Sequence, residues 1–88
     1  MSFFIWDDEN IEHIARHNVE PFEAEDALMD PQRLKFSAHS GNLGIIGATE
    51  DGRRLVVIYV KKIKGRIRVI TARDATESEI KTYKRRNR

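Results

Sequence analysis

Between Leu34 and Ala72 the chain is cut by three turn signals, Ser40-Gly41-Asn42, Asp51-Gly52 and Lys64-Gly65. The pieces between them have strand length, and connections this short leave no room for crossovers. Four strands must therefore run up and down as an antiparallel meander. In the first piece Leu34, Phe36 and Ala38 alternate with Lys35, Ser37 and His39, the pattern of a half-buried strand. Leu43 to Thr49 supplies the second strand. Leu55 to Lys61 is nearly all aliphatic and reads as a central strand covered on both faces. Arg66 to Ala72 supplies the fourth.

The flanks carry the helical period. After an apolar lead-in at Phe3, Phe4, Ile5 and Trp6, either Asp7 or Asp8 can cap a helix, with Glu9 favourable in its first turn. Ile11, Ile14 and Ala15 give that helix one apolar stripe to about His17, and Asn18 suits a left-handed stop. Glu20-Pro21 opens a second helix, with Phe22, Ala24, Ala27, Leu28 and Met29 as its buried side and Asp30-Pro31 as its end. Thr76-x-x-Glu79 is a capping box that opens a third helix running through Ile80 and Tyr83. The expected fold is α+β: two N-terminal helices, a four-stranded antiparallel sheet and a C-terminal helix. The first two helices are expected on one sheet face, with the other partly open. Residues 1–88 suffice for one domain with a single core.

Charge is divided sharply along the chain. Residues 53–88 hold thirteen of the sixteen Lys and Arg and three of the fourteen acids, a balance of +10, against −8 in residues 1–52. Such a split gives a basic surface that faces a polyanion, which the overall net charge of +2 conceals. There is no cysteine, so neither a disulfide framework nor a thiolate metal site is available. The opening MSFFIWDDEN lacks the positive n-region and sustained apolar run of a signal peptide, and no apolar stretch approaches the ~20 residues of a membrane span. The expected location is the cytoplasm, with no membrane partner.

Alternation sets Arg66 and Arg68 on one face of the fourth strand and Ile67, Val69 and Thr71 on the other, with Arg73 at the strand end. On a regular strand Arg68 and Arg73 differ in parity, so facing one site requires a bulge or an end twist. With Arg53 and Lys61 these arginines can cradle RNA phosphate, because guanidinium is permanently charged and meets phosphate bidentately. Alternatively they are solvated edge charges that guard a strand against aggregation. Lys84 and Arg85 belong to a basic tail that can serve as a phosphate-binding arm, and Tyr83 suits a groove wall or the core. His13 and His17 have the i, i+4 spacing of a helical metal pair. The glutamate of HExxH is missing and no third ligand is evident, so no metal site is expected. His39, beside a turn, is a candidate general acid or base.

Several segments also resemble a known family. They are Trp6-Asp7, Arg16-His17-Asn18-Val19, Phe22-Glu23-x-x-x-Ala27, Gly52-Arg53-x-Leu55 and, most specifically, Ile67 to Thr76 with Glu79 and Tyr83. Together they resemble the BrnT-like toxins of bacterial type II toxin–antitoxin pairs, which have a RelE-like fold. The resemblance implies a ribosome-independent endoribonuclease that needs no metal or other cofactor. Its partners would be an RNA substrate and a small BrnA-like antitoxin of ribbon-helix-helix type, with operator DNA contacted only through that antitoxin. It also implies attack by the RNA 2′-hydroxyl on the adjacent phosphate, with Arg53, Arg68 and Arg73 as phosphate and transition-state ligands. The family pattern assigns no general base; His39 or a basic strand residue is the candidate. The chain departs from the pattern at Asn18, where glycine is usual, and at Asn42-Leu43-Gly44, where a basic residue is expected.

Two other functions fit the same surface. One is a non-catalytic nucleic-acid-binding module, which lacks interleaved exposed aromatics for base stacking. The other is an interaction domain whose basic face docks an acidic protein.

Overall fold

A computed structural model describes residues 3–87. The turn chemistry acts as expected: Ser40, Gly41, Gly52, Lys64 and Gly65 all take positive φ, and each sits where the chain reverses between strands. The meander they create comprises β2 (Leu34–Ser37), β3 (Leu43–Ala48), β4 (Arg54–Lys61) and β5 (Ile67–Asp74). The sheet has a fifth member. Phe4–Ile5, read from sequence as a lead-in, forms β1 and pairs parallel with β5, Phe4 opposite Ile67 and Ile5 opposite Arg68. The sheet is therefore mixed and five-stranded, in the order β1-β5-β4-β3-β2, rather than four-stranded and antiparallel. A parallel pair of two residues leaves no local period to read, so sequence alone gives no sign of it.

The helices are α1 (Asp8–Ala15), α2 (Pro21–Met29) and α3 (Glu77–Arg86). Asp7 caps α1 in a reciprocal box with Asn10, and Thr76 and Glu79 form the expected box at α3. Asn18 takes the left-handed conformation, φ 59°, which reverses the chain into α2.

Both sheet faces are covered, by different helices. On one face Ile14, Val19, Ala24, Ala27 and Leu28 from the α1–α2 layer pack on Ile45, Leu55, Val57, Tyr59, Val69 and Ala72. Contact there is so close that a Cβ added at Gly47 would clash with the Ala27 carbonyl oxygen. On the other face Tyr83 of α3 packs with Ile46 and Val56, flanked by Leu34, Ala48 and Ile58. The rest of that second face is open, with Phe36 exposed on its floor. Ile11, Phe22 and Met29, assigned to the buried stripes by period, are instead exposed. Each helix is short, and the small residues Ala24 and Ala27 already fill the close approach to the sheet. No helix among the described residues is long and apolar enough to cross a membrane.

Candidate functional site

The geometry of β5 departs from the alternation at one place. Arg73 pairs with Val56 and Thr71 with Ile58, but Tyr59 is then opposite Val69 rather than Ile70. Ile70 is the extra residue of a bulge. Beyond it Arg68 pairs with Val60. Val56, Ile58 and Val60 alternate along β4 and share a face, so their partners Arg73, Thr71 and Arg68 share it too. Thr71 thereby leaves the face of Ile67 and Val69, contrary to the regular alternation. The two arginine partners, Val56 and Val60, are four positions apart on β4, ~13 Å at the usual strand rise.

Each of the two arginines is held by carboxylates. Arg68 donates through NH1 to Asp7 Oδ2 at 2.7 Å and through NH2 to Asp7 Oδ1 and Glu9 Oε1 at 3.3 and 3.2 Å. Its hydrogen bond is the main reason the Asp7 carboxyl lies below its ordinary pKa, with the Asn10 amide adding to it. Arg73 grips Glu79 with both terminal nitrogens, at 2.8 and 3.0 Å. That grip, joined by the Thr76 amide, holds the Glu79 carboxyl at about 2 despite the opposing cost of burial. A substrate phosphate at either arginine meets a guanidinium already oriented by a carboxylate it can displace or share.

At the Arg68 end lies a cleft of about 220 Å³, lined by Glu9, Asn10, His13, Arg68, Val69 and Ile70. Asn10 is almost fully buried and bolts α1 to this edge: its side-chain nitrogen donates to the carbonyls of Ile5 and Val69, and its oxygen accepts the Asp7 amide. His39 is exposed in the turn after β2 and lines a different hollow, of about 390 Å³, with Phe36, Ser37, Ala38 and Ile58. Its strand lies three places from β5 in the sheet, ~14 Å at the usual spacing.

Other expected site residues are dispersed. Arg53 is not beside Arg68 and Arg73 on the sheet face. It precedes β4 and ties three segments together, bonding the Asp74 carboxylate at 2.7 and 3.2 Å, the Glu23 carboxylate at 3.1 Å, and the carbonyls of Asn18 and His17. Tyr83 is core: its ring is buried and its hydroxyl donates to Asp30 at 2.5 Å. Burial and the neighbouring carboxylate push that phenol up to about 12. Asp30 also accepts the amides of Gln32 and Ala48, so it joins α2, β3 and α3. Lys61 is exposed at the end of β4, Arg66 is half-buried just before β5, and Lys84 and Arg85 are exposed on α3. Arg88, the last cation of the basic tail, lies outside the described residues. Among the described residues no group of three or more His, Asp or Glu is arranged to hold a metal ion.

A family model described as the ribonuclease toxin BrnT of type II toxin–antitoxin systems matches residues 6–79. The chain belongs to the BrnT family. Comparison with curated proteins gave no match. As a BrnT member the chain is a ribonuclease toxin, with RNA as its substrate and a protein antitoxin as its partner. The match spans the Asp7–Arg68 and Arg73–Glu79 pairs and the His13 cleft, and it ends before Tyr83, Lys84 and Arg85. The sequence pattern singles out both β5 arginines as candidates but not the carboxylates that orient them. The i, i+4 spacing of His13 and His17 gives no sign that His13 lines a cleft with Arg68.

Proposed function

We propose that this BrnT toxin is an endoribonuclease that cleaves RNA without a metal ion, by internal transesterification at a phosphate bound along β5. The 2′-oxygen bonds to phosphorus as the bond from phosphorus to the 5′-oxygen breaks. One proton leaves the 2′-hydroxyl and one is delivered to the leaving oxygen, giving a 2′,3′-cyclic phosphate and a 5′-hydroxyl. Arg68 and Arg73 neutralise the charge that accumulates on the phosphoryl oxygens, and their carboxylate partners orient them before substrate arrives. The observation that carries this reading is the bulge at Ile70, which turns two arginines of opposite parity to one face.

In this reading Lys61, Arg66, Lys84 and Arg85 extend the phosphate track on either side, and a BrnA-like ribbon-helix-helix antitoxin silences the enzyme by covering it. Arg53 supports the site by fixing the far end of β5. His39 lines the opposite rim of the open face and contacts the nucleotide beyond the cut.

The test is a gel of total RNA incubated with purified protein in EDTA, beside Arg73→Ala. The expected result is degradation by the wild type and its loss in the variant. Intact RNA with salt-sensitive binding would replace this reading with a non-catalytic nucleic-acid-binding module.

A further inference from the structure

We infer that His13 is the general base of the cleavage, taking the proton of the 2′-hydroxyl beside a phosphate held by Arg68. This rests on the metal-independent reaction proposed above and assigns the proton acceptor that it requires.

The cleft at the end of β5 brings three kinds of group together. Arg68 supplies a fixed cation, Glu9 a carboxylate bonded to that cation at 3.2 Å, and His13 a titratable imidazole. Glu9 and His13 stand one helical turn apart on α1, and residues so spaced lie on one face with their Cβ atoms ~6 Å apart. The imidazole is thus delivered beside the guanidinium through the residue that the guanidinium holds. Its position is set by the backbone and not by a mobile loop, because the buried Asn10 fastens α1 to Ile5 and Val69. A base must sit within hydrogen-bond reach of its proton, and such fixing is what keeps it there.

The groups that face His13 are Glu9 and His17 on its own helix, the His17 ring centroid 6.3 Å away, and Arg68 from β5. His17 is one turn further from Glu9, and its carbonyl accepts from Arg53. His39 lies three strands from β5. His13 is also half-buried, whereas His39 and His17 are exposed. His13 lines the same cleft as Arg68, whereas His39 lines a separate hollow.

The test uses the full chain and a short oligoribonucleotide in EDTA, comparing wild type, His13→Gln and His13→Ala in single-turnover cleavage across pH. Melting midpoint and RNA affinity are measured alongside. The expected result is a rate lower by about 10²–10⁴-fold in both variants, with RNA affinity and melting midpoint retained. The wild-type rise in rate with pH should flatten in His13→Gln, and added imidazole should restore part of the rate in His13→Ala. Two results would overturn the assignment. One is cleavage in both variants within about threefold of wild type, far below the loss expected for a missing base. The other is a lost rate that imidazole does not restore while RNA binding is also lost, which would make His13 a packing residue. Intact RNA with the wild type itself is a separate failure, because it removes the metal-independent reaction and not merely its base.

Discussion

Arg73 holds the Glu79 carboxylate with both terminal nitrogens, and Glu79 in turn accepts the Thr76 amide at the start of α3. Through Glu79, Arg73 is thus tied to the helix cap. Replacing Arg73 with alanine should lower RNA cleavage by about 10²–10³-fold, the usual effect of removing one charge-stabilising donor. The fold should survive, since a partly exposed pair contributes at most ~1 kcal/mol. Because the Glu79 carboxyl is depressed to about 2, the pair stabilises the protein above the ordinary carboxylate range. That contribution fades as pH falls from there toward 2. Melting midpoints followed into acid should therefore fall less steeply in Arg73→Ala than in wild type. Tyr83 behaves in the opposite sense. Its phenol is raised to about 12, so its contribution is complete below the ordinary tyrosine range near 10 and is lost as pH climbs toward 12. Tyr83→Phe should remove the late phenolate absorbance and this alkaline loss together, at ~1 kcal/mol for the bond to Asp30. The sequence named both residues but gave neither its partner. Glu79 reads as a cap and Asp30 as a helix end, and nothing in their spacing announces a second ligand from another element.

At the scale of elements, the third helix, the left-handed Asn18 and the three reversals were legible, because each depends on residues within one turn of each other. β1 was not, since its partner lies at the other end of the chain. The bulge at Ile70 was legible only as a requirement: the parity of Arg68 and Arg73 demanded an irregularity without locating it. Arg53 illustrates the limit most clearly. Its charge and its Gly52 neighbour fit a phosphate ligand, yet it joins the α1–α2 turn, the first turn of α2 and the last residue of β5. Arg53→Met should cost about 2 kcal/mol by leaving the partly buried Glu23 carboxylate without its cation. Denaturant unfolding monitored by Trp6 fluorescence would measure it. A midpoint equal to wild type would show that the three elements hold together without this side chain.

For the whole molecule, the division of charge by sequence is bridged where Arg53 and Arg68 bond Glu23, Asp7 and Glu9. The acids of α1 and α2 lie on the layer that covers one sheet face, and the cations gather on β5, the β4–β5 turn and α3. If about four cations meet RNA phosphates, the logarithm of affinity should fall with that of salt at a slope near −3, or ~50-fold between 50 and 200 mM. Filter binding with an uncleavable oligodeoxynucleotide-substituted substrate would give the slope, and a value near zero would remove electrostatics from recognition.

The parallel pairing of β1 with β5 bears on the order in which the sheet can close. Phe4 and Ile5 are synthesised before their partners Ile67 and Arg68, which follow 63 positions later. Until then the edge of the sheet has no first strand, Asn10 has no Val69 carbonyl to grip, and the Arg68 cleft does not exist. A nascent chain therefore lacks these contacts through most of its own translation. The sheet edge and the cleft beside Arg68 can form only after β5 has emerged.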